Sequence, residues 1–134
     1  MFVERLTPKQ RQALFDLAVM MAAADNDVCE EELDYLRELS QKYAIEFDLD
    51  KSHLVVSDLL KVMDSNESKI ITLQELIRIS YKDGHFSPDE RDKIFAIAQK
   101  MGVNDPSLIL AVEKWVRQMF DWMYEGEQLL EYKF

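Results

Sequence analysis

Apolar residues recur at helical spacing along most of the chain, and cap and turn residues separate the recurrences. Leu14, Leu17, Ala18, Met21 and Ala24 form one stripe, which Phe15 and Val19 widen. Thr7-Pro8-Lys9-Gln10 precedes it, with a hydroxyl cap, Pro at the first helical position and Gln three past the cap. Together they predict a helix from Pro8 to about Ala24, followed by a turn at Asp25-Asn26-Asp27. Leu33, Leu36 and Leu39, with Tyr35 beside them, predict a second helix from near Cys29 to about Tyr43. Its first turn holds Glu30, Glu31 and Glu32, where the helix dipole favours negative charge. A third helix is expected from about Asp50, carrying Leu54, Leu59, Leu60 and Met63 and ending at Asp64-Ser65-Asn66.

A fourth helix covers roughly Glu67 to Tyr81, with Ile70, Leu73 and Ile77 inward and Ile71 and Leu76 beside them. Ser87-Pro88-Asp89-Glu90 is a capping box that opens a fifth, which carries Ile94, Phe95, Ile97, Ala98 and Met101 and closes at Gly102. Asn104-Asp105-Pro106 opens a sixth, with Leu108, Ile109, Val112, Trp115, Val116 and Met119. The tail from Gly126 is apolar (Leu129, Leu130, Tyr132, Phe134) and predicts a last helix folding back on the bundle. No stretch sustains a period of two, so no strand is expected. The fold class is all-α, a single domain over 1–134 with six to seven helices.

The two halves align without a gap. Asp25-Asn26-Asp27-Val28-Cys29-Glu30-Glu31-Glu32 matches Asp83-Gly84-His85-Phe86-Ser87-Pro88-Asp89-Glu90, and Leu36, Leu39 and Ile45 fall on Ile94, Ile97 and Val103. Upstream, Phe15, Ala18, Val19 and Met21 meet Leu73, Leu76, Ile77 and Ile79. Two three-helix repeats are therefore expected, one over about 7–64 and the other over about 66–124, with a tail at 125–134. A pseudo-twofold axis is the arrangement that would bring their loops side by side.

Composition narrows the function. The chain has 134 residues, 48% hydrophobic and 31% charged, which suits a helical protein that buries one core. A net charge of -10 argues against nucleic acid and favours cations or basic protein surfaces. One cysteine excludes an internal disulfide and points to a reducing, cytoplasmic setting. The apolar run Leu17 to Ala24 superficially resembles a secretion signal, but its counterpart in the second half reads as a core helix, and it is too short to cross a bilayer.

Carboxylates dominate the candidate chemistry. From Asp25 to Asp34 there are six acids and no base, and oxygen donors in a tight loop are what hard cations need. The EF-hand pattern fails: its fifth, sixth and twelfth places hold Cys29, Glu30 and Leu36 in one copy, and Pro88 takes the sixth in the other. Packed about a twofold axis, Asp25 and Glu32 would instead face Asp83 and Glu90, giving four carboxylates that calcium or magnesium would relieve. Asp27, Glu31 and His85 are secondary candidates. The competing structural role makes Asp25 and Asp83 turn formers, and Glu32 and Glu90 first-turn residues that satisfy backbone donors.

Cys29 at a helix start invites a thiol reductase reading, but the surrounding acids oppose a thiolate and Ser87 holds the matching place. The chain carries no phosphate loop, nucleophile elbow or zinc motif, so no catalytic residue and no organic cofactor are expected. Trp115 and Trp122, one heptad apart, mark an interface if their face is exposed. The alternative function is thus a metal-free interaction scaffold, using that surface or an acidic face.

Ala22-Ala23-Ala24-Asp25 leading through Val28 to Glu31-Glu32, and Asp83 to Glu90 in the second half, resemble the tellurite-resistance TerB family. The same domain is similar to the N-terminal region of the membrane-anchored DnaJ-like co-chaperone DjlA. The likeness runs from about Thr7 to Met123. It implies two three-helix repeats with pseudo-twofold symmetry, divalent-cation binding by clustered acids, and a non-enzymatic role in bacterial stress or tellurite resistance. It also implies protein partners, membrane-bound ones among them, with no insertion of this chain into the bilayer. The family's loop Asp falls on Asp25 and Asp83, and its helix-start Glu on Glu32 and Glu90. Asn26 stands where Asp-Gly is usual, Lys82 replaces a small residue, and no His-Pro-Asp tripeptide is present.

Overall fold

The computed structural model describes residues 2–24, 29–81 and 87–134. Among them a single 3-10 turn, Val3–Arg5, precedes α1 (Pro8–Ala24), α2 (Glu30–Tyr43), α3 (Val56–Leu60), α4 (Asn66–Ser80), α5 (Pro88–Lys100) and α6 (Pro106–Leu130). No strand occurs among the described residues. α1 packs against α2, α3 and α4, while α4 packs against α1, α2, α5 and α6, so these two helices form the middle of the bundle. Of the expected inward stripes, Leu14, Phe15, Leu17, Ala18 and Val19 on α1 and Ile71, Leu73, Leu76 and Ile77 on α4 are buried, whereas Met21 and Ile70 are only half-buried. Each large side chain removed from water in this way contributes roughly 1.5–3 kcal/mol.

Caps set the helix starts. Thr7 and Gln10 exchange hydrogen bonds: the Thr7 N–H donates to Gln10 Oε1 at 2.9 Å, and the Gln10 N–H to Thr7 Oγ1 at 3.1 Å. The Gln10 amide then reaches Val62 O and Asp64 Oδ1, fastening the start of α1 to the approach to α4. Ser65 and Ser68 form the reciprocal box of α4, Ser87 Oγ accepts the Glu90 N–H on α5, and Asp105 Oδ1 accepts from Ser107 and Leu108 on α6.

α2 and α5 end alike. Gly102 takes a left-handed φ of 79°, its N–H bonds Gln99 O, and the Val103 N–H bonds Ala98 O at 2.8 Å. That pair of bonds is a Schellman closure. Ala44, the position that aligns with Gly102, also has a left-handed φ of 53°, and the Ile45 N–H bonds Ser40 O at 2.9 Å. Pro8 and Asn66, and Glu30 and Pro88, lie the same number of residues apart as Ala44 and Gly102.

Two expected elements come out differently. The third helix does not begin at Asp50; it is the short α3, Val56–Leu60. Asp48 Oδ1 accepts the Asp50 N–H, and Asp50 Oδ1 accepts both the N–H and the hydroxyl of Ser52, so these acids form successive turns. Lys51 reaches back to Asp16 and Phe47 meets Phe15 edge-on, which holds the segment across α1 in an irregular path. The third helices of the two halves are therefore unequal.

The tail does not fold back either. α6 continues through Gly126 to Leu130, and everything from Asp121 onward is exposed. A single Gly costs a helix about 1 kcal/mol, too little to stop one flanked by Glu, Gln and Leu.

Candidate functional site

The N-termini of α2 and α5 converge on one small cavity. Cys29 caps α2 and Ser87 caps α5, which puts Glu32 and Glu90 at the third position of their helices. Both glutamates line a cavity of about 10 Å³, with Met21 and Ala22 of α1, Ile79 and Ser80 of α4, and Lys93 of α5. In the alignment of the two halves Met21 meets Ile79, Ala22 meets Ser80 and Glu32 meets Glu90; only Lys93 lacks a matching wall residue. The space is about what one water molecule needs.

Glu32 is 3% exposed, unusual for an acid in a helix's first turn. Its Oε1 accepts the Cys29 thiol at 3.2 Å. Burial, opposed in part by a backbone hydrogen bond and reinforced by Glu32 and Glu31, pushes the Cys29 thiol above its usual range. A thiol held in that direction is a poor nucleophile at neutral pH.

The structure thus brings together two of the four primary candidates, Glu32 and Glu90. Glu31 is exposed at the same helix start. Asp25, Asp27, Asp83 and His85 lie outside the described residues. Among the described residues no three His, Cys, Asp or Glu side chains gather in a way that holds a metal ion. Lys93 brings a positive charge to the same cavity wall.

A second polar cluster lies between α2 and α4, and the sequence reading did not single it out. Glu75 is 3% exposed on the inner side of α4; Tyr35 donates its hydroxyl to Glu75 Oε2 at 3.1 Å, and Arg78 Nη1 lies 3.7 Å from the same oxygen. Burial, and then the Glu75 charge, push the Tyr35 phenol well above its usual value. The neighbouring cavity, about 60 Å³, is edged by Glu38, Lys42 and Arg78. An acid at an otherwise apolar helical position was the available signal.

The outer part of α6 is a third feature. Ile109, Val112 and Val116 are buried, Tyr81 stacks on Phe120 at 5.2 Å, and Phe2 stacks on Trp115 at 6.1 Å. The same stripe then runs on through Met119, Trp122, Met123, Gly126, Leu129 and Leu130. Beyond Phe120 no described residue covers it: Trp122 is 75% exposed and Leu130 85%. The two tryptophans expected on one surface are thus divided, with Trp115 half-buried against Phe2 and Trp122 in water. No helix among the described residues is long and apolar enough to cross a membrane. No protein-family model, curated protein or solved structure matches the chain.

Proposed function

We infer that this protein is a non-enzymatic, TerB-like helical module that works by docking a protein partner through the outer part of α6. One observation carries the reading: an apolar stripe that packs on α4 for half its length continues beyond the bundle with no cover among the described residues. Trp122, Met123, Leu129 and Leu130 are all more than half exposed, and Asp121, Glu125, Glu127 and Glu131 share the same segment. Contiguous exposed apolar surface of this kind marks interaction sites. Replacing Trp122, Leu129 and Leu130 together with serine removes the surface without touching the core. Loss of partner capture at unchanged melting temperature and helicity is expected; identical capture by both proteins sinks the reading.

A second reading is favoured by the shared cavity. Two carboxylates from helices that align with each other line one space, as a divalent-cation site between two TerB-like units about an approximate twofold axis requires. Calcium and magnesium are the cations whose ligand preference suits it. Lys93 is the competing neutraliser. Calorimetry with calcium, magnesium, manganese and zinc decides, on the native chain, on Glu32→Gln with Glu90→Gln, and on Asp25→Ala. Absence of heat and of any thermal shift with every ion ends the cation reading. The stress-response or tellurite-resistance role rests on the family resemblance alone.

A further inference from the structure

Resting on the docking role inferred for α6, we propose that the partner is a second copy of this chain, whose lysine-flanked groove receives the α6 end. The groove lies between α1, α3 and α5 and has a volume of about 270 Å³. Leu17, Met20, Met21, Val56 and Ile97 wall it, and methionine side chains adapt readily to an incoming aromatic or aliphatic group. Among the described residues its only charged members are Lys100 and Lys93, and Lys93 also lines the cavity that holds Glu32 and Glu90. A groove edged by lysines alone is unexpected in a chain of net charge -10.

The α6 end has the opposite character. Its last fourteen residues, 121–134, carry four acids against Lys133, set beside the uncovered stripe. The groove beside Tyr81 and Phe120 suits it poorly, because Glu31, Asp34 and Glu38 outnumber Arg78 along its edge and leave it net negative. Within one molecule α6 packs chiefly on α4, whereas the lysine-edged groove belongs to other helices.

Area favours reciprocal exchange. An aromatic side chain buries on the order of 150–250 Å², so Trp122 seated with Met123, Leu129 and Leu130 removes on the order of 1,000 Å² counting both sides. That falls short of the roughly 1,200–2,000 Å² typical of stable interfaces, and a twofold exchange doubles it into that range.

The test uses the full chain. Sedimentation equilibrium is expected to show a dimer, and Trp122→Ser with Leu130→Ser a monomer of unchanged helicity. Lys100→Glu, and separately Glu125→Lys with Glu127→Lys, each weaken self-association at least tenfold. Mixing those two variants restores dimers, because both seats of the mixed pair regain opposite charges. In a Cys29→Ser background, chains with Ala96→Cys and chains with Leu129→Cys form a mixed disulfide on oxidation. Cross-links between two Leu129→Cys chains alone, or a mixture that stays monomeric, overturn the groove assignment. A native monomer at all concentrations overturns the second-copy proposal. The Trp115→Phe variant then separates the two readings: if Trp122 is quenched freely in that monomer, the docking role stands with another partner. If Trp122 is shielded in the monomer, the docking role falls too.

Discussion

Lys51 Nζ lies 3.1 Å from Asp16 Oδ1, with both side chains close to nine-tenths buried. Gln12 donates to the same Asp16 oxygen at 3.0 Å, and the ammonium sits 5.4 Å from the centre of the Phe15 ring. This pair ties the irregular segment before α3 to the middle of α1. Lys51→Met leaves Asp16 buried without its cation, at a cost of about 3–5 kcal/mol. Thermal denaturation should show a melting temperature lower by roughly 10 °C or more. Asp16→Leu combined with Lys51→Met should recover much of the loss, since well-packed apolar pairs replace buried ion pairs at little cost.

The matched ends of α2 and α5 carry different residues in the same backbone conformation. Ala44 strains where Gly102 does not, because a Cβ at positive φ crowds the following carbonyl. Ala44→Gly should be neutral to stabilising by about 1 kcal/mol. Gly102→Ala should destabilise by about 1–2 kcal/mol through backbone strain alone, as a Cβ there meets nothing within 4 Å. Urea titrations of the two variants read both signs.

Tyr35 gives the protein a sensitivity to alkali. Its phenol is held well above the usual tyrosine value of 10.0 by burial and by the Glu75 charge. Folding therefore favours the neutral phenol. That contribution is complete below about pH 10, where unfolded tyrosine begins to ionise, and is lost as pH rises toward the folded value. Tyr81 shifts the same way, through burial first and then Glu113. Ultraviolet titration should show tyrosines that ionise late, and Tyr35→Phe should remove the latest of them. Its lost hydrogen bond should cost about 1–2 kcal/mol at pH 7.

Cys29 should react slowly. With its thiol raised by burial and bonded to Glu32, alkylation by iodoacetamide at pH 7 should run several-fold slower than for free cysteine. The rate should keep climbing beyond the pH at which free cysteine levels off. A rate matching or exceeding free cysteine at pH 7 contradicts the assigned environment.

Most helices were legible because their signals are local. Thr7 with Gln10, Ser87 before Pro88, and Gly102 each act within one turn of backbone, and Leu36, Leu73 and Ile94 sit at fixed spacing on a buried stripe. The failures share a different cause. Asp50 and Ser52 read as a helix start, but Asp50 shares its hydrogen bonds with the next turn while Lys51 is drawn to an acid on α1. Nothing in the neighbouring sequence announces that partner. Gly126 reads as a break, yet one glycine is a small cost within a long run of helix formers.

The candidate site divides along the same line. Acid density at two aligned helix starts follows from residue order alone, and it singled out Glu32 and Glu90 together with Asp25 and Asp83. That the two glutamates line one cavity, with Lys93 on its wall, depends on how α1, α2, α4 and α5 pack, since such neighbours are assigned by three-dimensional closure. The chemistry of α6 is likewise written in its heptads. Where the bundle stops covering it is decided by the extent of α4 and of Phe2 beneath it, so only the assembled fold shows that Trp115 is sheltered and Trp122 is not.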